Sequence, residues 1–353
     1  MPTTNSTSFA LAASLFTLTL TTYIYKTHRR TSNLTSIRTS NANDISHIPP
    51  YSTESTQERS APVAVFLGGT AGVGRGMAEA YAKHTNGNAH IILIGRNATN
   101  AQAIINSFPK PTAPGAKHEF IYCDATLMAE CKRTIDDLLQ RLTTINYLVL
   151  SPMFVRSFHK EETSEGKEPK LVLLYYARFK FTRELMPLMQ KAKEAGEDAK
   201  VYIVGGPGLG KRIDYDDLGF LKKGYSFWKV RRQFPAYLDV ILQEFAARNP
   251  LITFIHAYPG PVRSALADNL EWPLFRMFFK MFFELSFPFS HTESGEYMLH
   301  AMLTTAKHPG VWSIDMFGET MPEQKIVVAT ERERKMLWEH SVEETVVPES
   351  ASS

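Results

Sequence analysis

The chain has few cysteines and no strong excess of charge. Its 353 residues include two cysteines, Cys123 and Cys131. Two thiols exclude a disulfide framework, and the 11 histidines do not cluster with them at zinc-binding spacings, so we predict no metal site. The net charge of +3 is spread along the chain, which argues against a nucleic-acid partner. The remaining composition, 44% hydrophobic and 21% charged, is ordinary for a globular α/β protein.

The N-terminus lacks charge over residues 9–25, and no acidic residue precedes Asp44. As a helix this run would span roughly 25 Å, slightly less than a hydrocarbon core of about 30 Å. Basic residues follow directly, over residues 26–30, which favours a membrane anchor with a cytosol-facing domain. A mitochondrial transit peptide and a disordered tail remain as alternatives, whereas a secretory signal would carry its positive charge before the apolar run.

Composition divides the chain into four parts. We expect a membrane anchor or targeting segment over 1–30, and a disordered linker rich in Ser, Thr and Asn over 31–60. A single dinucleotide-binding domain is expected over 61–330, and a C-terminal tail over 331–353.

A glycine-rich turn is the most informative motif. The apolar run Val63–Leu67 precedes it and helix-forming residues follow from Met77. Backbone N–H groups at such a strand–turn–helix junction bind a pyrophosphate, because glycines let the backbone approach it. The predicted contacts are Gly68, Thr70, Gly72, Val73 and Gly74.

Arg96 follows the second predicted strand, at the distance from Gly74 where such folds recognise the adenosine ribose. An acid there would favour NAD, whereas an arginine suits the 2′-phosphate of NADP, since its planar fork pairs with phosphate oxygens. The alternative is a solvated loop arginine.

Strand and helix patterns alternate along the chain, which predicts a Rossmann-type, doubly wound parallel sheet in one domain with an N-terminal extension. Ligands are then expected at the carboxyl ends of the strands. The predicted strands are 63–67, 90–94, 119–123, 147–150, 200–204, 251–255 and 311–317.

The chain resembles the short-chain dehydrogenase/reductase superfamily from about Ala61 to Glu319. Gly68, Gly72 and Gly74 match the family's TGxxxGxG turn, with Leu67 in place of threonine, and residues 259–264 match its PGxVxT loop. Residues 175–179 and 256–260 resemble a divergent branch that we associate with fungi. The resemblance implies NADP(H) contacts at Asp124, Ala125, Ser151, Lys229, Pro259, Gly260 and Val262.

The family's catalytic tyrosine donates a proton to the carbonyl oxygen, and a lysine four residues later lowers its pKa and holds the ribose. Tyr225 and Lys229 match this pair between strands five and six. The spacing to the PGxVxT-like loop is long, and an alignment on Glu244 would instead place Phe227 and Arg231 there. We predict Tyr225 and Lys229 as the acid pair.

Two family residues are replaced. Gly206 stands where the serine at the end of strand five is expected, and Leu174 where the relay asparagine would fall. Ser226 or Ser151 would then supply the hydroxyl. Losing one donor to an oxyanion commonly costs about 10²–10³ in rate, so catalysis is expected to be slowed rather than abolished.

An aromatic segment over residues 272–289 holds eight aromatic residues and is either a lid over an apolar substrate or a helix packed on the core. We predict an NADP(H)-dependent oxidoreductase that reduces a carbonyl, or oxidises an alcohol, on an apolar small molecule such as a lipid or secondary metabolite. The alternative is an NADP(H)-binding sensor or scaffold without catalysis.

Overall fold

The computed structural model describes most of the chain between residues 30 and 347. The apolar run 9–25 and most of the aromatic segment 272–289 lie outside the described residues. Within the described ranges, none of the helices combines the length and the apolar character needed to cross a bilayer. The described residues are 30, 33–46, 61–153, 157–220, 222–263, 276–277, 284 and 288–347.

Seven parallel strands form one sheet in the order β3-β2-β1-β4-β5-β6-β7. This confirms the predicted doubly wound Rossmann-type sheet. The strand order reverses between β1 and β4, which creates a crevice at their carboxyl ends where ligands bind in such folds. The strands are β1 (Val63–Leu67), β2 (His90–Gly95), β3 (Lys117–Tyr122), β4 (Tyr147–Leu150), β5 (Lys200–Val204), β6 (Thr253–Ala257) and β7 (Gly310–Ile314).

Helices cover both faces of the sheet. One face carries α4, α5, α6 and α8, and the other carries α1, α2, α3 and α7. The helices are α1 (33–46), α2 (Gly72–His84), α3 (Ala98–Ser107), α4 (Met128–Arg141), α5 (Pro169–Leu171, a π-helical turn Val172–Tyr176, then Ala177–Glu194), α6 (Phe227–Arg248), α7 (His291–His300, extended by π-helical Ala301–Thr305) and α8 (Glu331–Glu344).

Strand β1 shows why both faces must be covered. Val65 and Leu67 pack into one core cluster, whereas Ala64 and Phe66 pack into the other. All five residues of β1 are buried. A strand that is buried on both sides has a continuous apolar sequence, which is why β1 could be predicted from the sequence.

Helix α1 lies within the segment expected to be a disordered linker. Leu34 and Ile45 are buried in the core cluster of α2 and α7. Asn41 is fully buried and its side chain donates to the backbone carbonyl and the carboxylate of Glu296, at 3.0 Å each. The polar composition of residues 31–60 does not predict this helix, because the helix is stabilised by packing against the core rather than by apolar content of its own.

Helix α8 lies within the expected C-terminal tail. It begins with a capping box formed by Thr330 and Glu333. Trp338 packs against Phe179 and Phe245, with ring centroids 5.2 and 4.9 Å away. The domain therefore continues past residue 330 and uses α8 to cover α5 and α6.

Candidate functional site

The glycine turn packs tightly between β1 and α2. Gly68 and Gly72 have φ angles of 84° and 55°, a region that favours glycine. A Cβ on Gly74 would lie 2.2 Å from Ser151 Oγ and 2.7 Å from the Gly68 carbonyl oxygen. The turn therefore accepts only hydrogen at Gly74.

Ser151 joins the two strands that flank the crevice. Its backbone N–H donates to the Leu67 carbonyl at 2.9 Å, and its hydroxyl lies 3.2 Å from the same oxygen. The structure thus brings Ser151 directly against the turn, and its contact with the coenzyme stays a prediction. Because the hydroxyl proton is directed to the turn's backbone, it is not positioned to replace the serine that Gly206 lacks.

The first turn of α2 suits an anion. Ala71 precedes the helix in an extended conformation, makes no side-chain cap, and no acidic residue occupies the first turn. Helix N–H groups without a capping side chain bind phosphate oxygens well. The glycine turn and the N-terminus of α2 together fit the pyrophosphate of a dinucleotide.

Arg96 and Asp124 meet at the ends of β2 and β3. Arg96 Nη1 lies 3.8 Å from Asp124 Oδ2, and the Arg96 side chain is 52% exposed. The other oxygen of Asp124 accepts from the N–H and hydroxyl of Thr126, at 3.0 and 2.8 Å. Thr70 of the turn lies beside Gly95, next to Arg96. The predicted adenosine contacts are therefore neighbours, and Ala125 is buried behind them.

The loop after β6 is anchored by Phe289. The Phe289 N–H donates to the Pro261 carbonyl, and the Arg263 N–H donates to the Phe289 carbonyl, both at 2.8 Å. Gly260 has a φ of 69°, and Val262 is buried. This holds the predicted nicotinamide loop at the carboxyl edge of the sheet.

Tyr225 and Lys229 do not share a helix face. Helix α6 begins at Phe227, and Ser226 precedes it in an extended conformation, so Tyr225 lies outside the helix. Lys229 is exposed, and its Nζ donates to the Lys223 carbonyl at 3.3 Å. The i, i+4 argument that favoured this pair requires both residues to be helical. Their catalytic roles remain predictions.

The ammonium group of Lys170 lies over the Tyr225 ring. Lys170 Nζ lies 5.7 Å from the centre of the Tyr225 ring and pairs with Glu168 at 2.6 Å and Glu161 at 3.0 Å. Burial and the Glu168 carboxylate raise the pKa of Tyr225 well above its ordinary value. Neutral Tyr225 is therefore the form present at physiological pH.

Arg178 was not singled out from the sequence as a site residue, although it lies in a segment typical of the resembled branch. It is buried and donates to the carbonyls of Leu173 at 3.1 Å, Pro152 at 2.9 Å and Val204 at 2.5 Å. It thereby ties the π-helical turn, where Leu174 lies, to the carboxyl ends of β4 and β5. Burial lowers the pKa of Arg178, and these three hydrogen bonds all go to backbone carbonyls.

Apolar side chains are exposed at the same edge of the sheet. Met153 after β4 is 51% exposed, Leu209 after β5 is 58% exposed and Trp228 at the start of α6 is 62% exposed. Trp228 stacks on Phe158, with ring centroids 6.2 Å apart. Three successive segments thus present apolar surface near the crevice.

Comparisons with known proteins agree with this architecture. The family model described as short chain dehydrogenase matches residues 62–197. Oxidoreductase andH of Emericella variicolor is 29% identical over 249 residues, which cover 70% of this chain and 71% of that protein. Short-chain dehydrogenase/reductase SAT2 of Stachybotrys chartarum is 27% identical over 219 residues, covering 58% and 61%.

A solved structure shares the fold. The Pseudomonas aeruginosa RhlG/NADP active-site complex matches with a TM-score of 0.53 and 16% identity, covering 74% of this chain and 100% of that one. Residues 62–197 therefore match the short-chain dehydrogenase family, and the chain is an oxidoreductase of that type with similar proteins in fungi.

Proposed function

We propose that this oxidoreductase uses NADP(H) to reduce a carbonyl group, or to oxidise the corresponding alcohol, on an apolar small molecule such as a lipid or a secondary metabolite. The observation that carries the proposal is the glycine turn packed on Ser151 at the point where the strand order reverses. When bound there, the nicotinamide coenzyme supplies or accepts a hydride.

Arg96 supports the choice of NADP(H). Its guanidinium is half-exposed at the end of β2, beside the turn residue Thr70. The planar fork of a guanidinium pairs with two phosphate oxygens at once. The contact with Asp124 at 3.8 Å is long enough to yield to a closer phosphate.

The exposed side chains of Met153, Leu209 and Trp228 support an apolar substrate. The aromatic composition of residues 272–289 agrees with this. Membrane contact through residues 9–25 stays a prediction, and it would bring the protein to substrates that dissolve in lipid.

We propose Tyr225 as the proton donor. Its hydroxyl is buried beside the Glu168 carboxylate, and it is protonated at neutral pH. It is therefore able to donate to a substrate oxygen. Lys229 would have to leave the Lys223 carbonyl to assist.

A second candidate function is coenzyme binding without turnover. The observation that favours it is the environment of Tyr225, which lies outside α6 and has its pKa raised rather than lowered. A tyrosine with a raised pKa is a weaker acid. Gly206 and Leu174 also lack the polar groups of the resembled family.

Turnover of a panel of apolar ketones, measured by NADPH consumption, separates the two functions. We expect Tyr225→Phe to lower kcat by at least about 10²-fold, the lower range for a positioned acid, while the Kd for NADPH stays within twofold. Tyr122→Phe, at an exposed tyrosine, is the matched control. Unchanged turnover in Tyr225→Phe would place the proton donor elsewhere, and a wild type that binds NADPH but reduces no ketone would favour the second function.

A further inference from the structure

A histidine and an aspartate are buried together behind the loop that follows β5. His256 lies on β6 and Asp239 on α6, with 0% and 1% of their surfaces exposed. His256 Nδ1 is 2.7 Å from Asp239 Oδ1. Neither residue was predicted as part of the site, although His256 lies in a segment typical of the resembled branch.

The backbone determines the tautomer of His256. The Gly206 N–H donates to His256 Nε2 at 3.0 Å, so Nε2 is the acceptor. Nδ1 then carries the proton and donates it to Asp239. The second oxygen of Asp239 accepts from the N–H groups of Gly208 at 3.2 Å and Val327 at 3.4 Å.

Every amide of the loop 205–208 is accounted for. The Gly205 N–H donates to the Ala257 carbonyl at 2.7 Å, Pro207 has no N–H, and the other two donate to the histidine and the aspartate. The loop therefore offers no N–H to a substrate oxygen. The loop therefore contributes to the site through the shape of its backbone and not through hydrogen bonds.

The same pair explains why the loop lacks a side chain. A Cβ on Gly205 would lie 2.4 Å from His256 Nε2. Real Cβ atoms do not approach this closely, so the ring occupies the space that a side chain at 205 would need. The position of the His256 ring therefore requires a glycine at residue 205.

We propose that Asp239 and His256 are positioning residues that hold the loop 205–208 at the substrate side of the crevice. The inference rests on the proposed function, because it assumes that this loop borders the reacting carbonyl. Strand β6, which carries His256, leads directly into the loop at Pro259–Val262. The pair therefore links the coenzyme side of the site with its substrate side.

Asp239→Asn is a sharp test, because an asparagine fails in either orientation. If its amide nitrogen faced His256, a proton on Nδ1 would have no acceptor. If Nδ1 instead accepted from the amide, Nε2 would carry the proton and would oppose the Gly206 N–H. If the nitrogen faced the other way, it would oppose the N–H groups of Gly208 and Val327. Each orientation sets donor against donor in a buried site.

We expect Asp239→Asn to lower kcat by about 10²-fold, the cost of a displacement of roughly 1 Å in a catalytic site, with the Kd for NADPH within twofold. Hydrogen exchange of the Gly206 and Gly208 amides should accelerate. Gly205→Ala should act in the same way from the other side of the ring. Asp137→Asn, at an exposed aspartate on α4, is the control.

A folded Asp239→Asn protein with wild-type kcat and protected Gly206 and Gly208 amides would overturn the inference. A loss of kcat and NADPH affinity in equal proportion would also overturn it, since that indicates general destabilisation. If Asp239→Asn does not fold, the same readouts apply to Gly205→Ala. If the wild type reduces no ketone, the proposed function fails, and amide exchange still shows whether the pair holds the loop.

Discussion

In the proposed function, Arg96 is the side chain that selects NADP(H) over NAD(H). We expect Arg96→Gln to weaken NADPH binding by roughly 10- to 100-fold, because a hydrogen bond to a charged group contributes about 1.5–3 kcal/mol. NADH lacks the 2′-phosphate, so its affinity should change by less than twofold. Calorimetric titration of both coenzymes measures the difference.

The control for this change is Arg133→Gln, at an exposed arginine on α4 that pairs with Glu130. It should leave both affinities unchanged. Equal losses for NADPH and NADH in Arg96→Gln would mean that the guanidinium supports the loop rather than reading the 2′-phosphate.

At the residue scale, the sequence predicts those residues whose positions are determined by backbone geometry. Gly68, Gly74 and Arg96 follow strands at fixed spacings, so a pattern can find them. Arg178 and His256 could not be found in this way. Their partners are carbonyl and N–H groups from distant segments, and no local spacing records such contacts.

At the element scale, the position where α6 begins decides whether the predicted acid pair lies on one helix face. The spacing of Tyr225 and Lys229 matches one helical turn, but α6 begins after Tyr225. The seven strands were located to within a few residues because apolar runs define them. Helix ends are less well determined, since capping depends on tertiary contacts.

Helix α8 gives a second prediction at this scale. Trp338 packs between Phe179 and Phe245 and lies under the Arg248 guanidinium, 4.0 Å from the ring centre. We expect Trp338→Ala to lower the free energy of unfolding by about 3 kcal/mol, since truncating a packed tryptophan leaves a cavity. Denaturant unfolding monitored by circular dichroism measures the loss.

Trp228→Ala is the matched control, because Trp228 is 62% exposed. Its effect on the unfolding free energy should stay below about 1 kcal/mol. Equal effects of the two substitutions would show that α8 is not part of the cooperative domain.

At the scale of the whole molecule, helix α1 contacts a buried carboxylate on α7. Glu296 accepts from Asn41 at 3.0 Å and contacts His84 at 2.8 Å. Burial alone would raise the pKa of Glu296, but the hydrogen bonds from His84 and Asn41 outweigh it and lower the pKa. Docking of α1 is therefore coupled to ionisation of Glu296.

The sign of the pH dependence follows from this direction. A carboxyl whose pKa is lowered by folding contributes its full stability above its unfolded pKa of about 4.3 and loses it as the pH falls further. We expect α1 to keep its protection from hydrogen exchange, corrected for intrinsic rates, at pH 6 and to lose it near pH 3. Glu296→Gln should release α1 at pH 6 as well.

The control is Glu339→Gln, at a glutamate on α8 far along the chain from α1. It should leave the protection of α1 unchanged. If α1 is equally protected at pH 3 and pH 6 in the wild type, Glu296 does not hold it. Composition alone could not reveal this docking, because the partners of Asn41 lie 255 residues away.

Calorimetric titration of the wild-type protein with NADPH is the decisive measurement, since every functional step requires a dinucleotide on the glycine turn. We expect saturable uptake of one NADPH per chain, tighter than that of NADH and abolished by Gly74→Ala, whose Cβ would collide with Ser151. Absence of heat and of saturation with both coenzymes would contradict it.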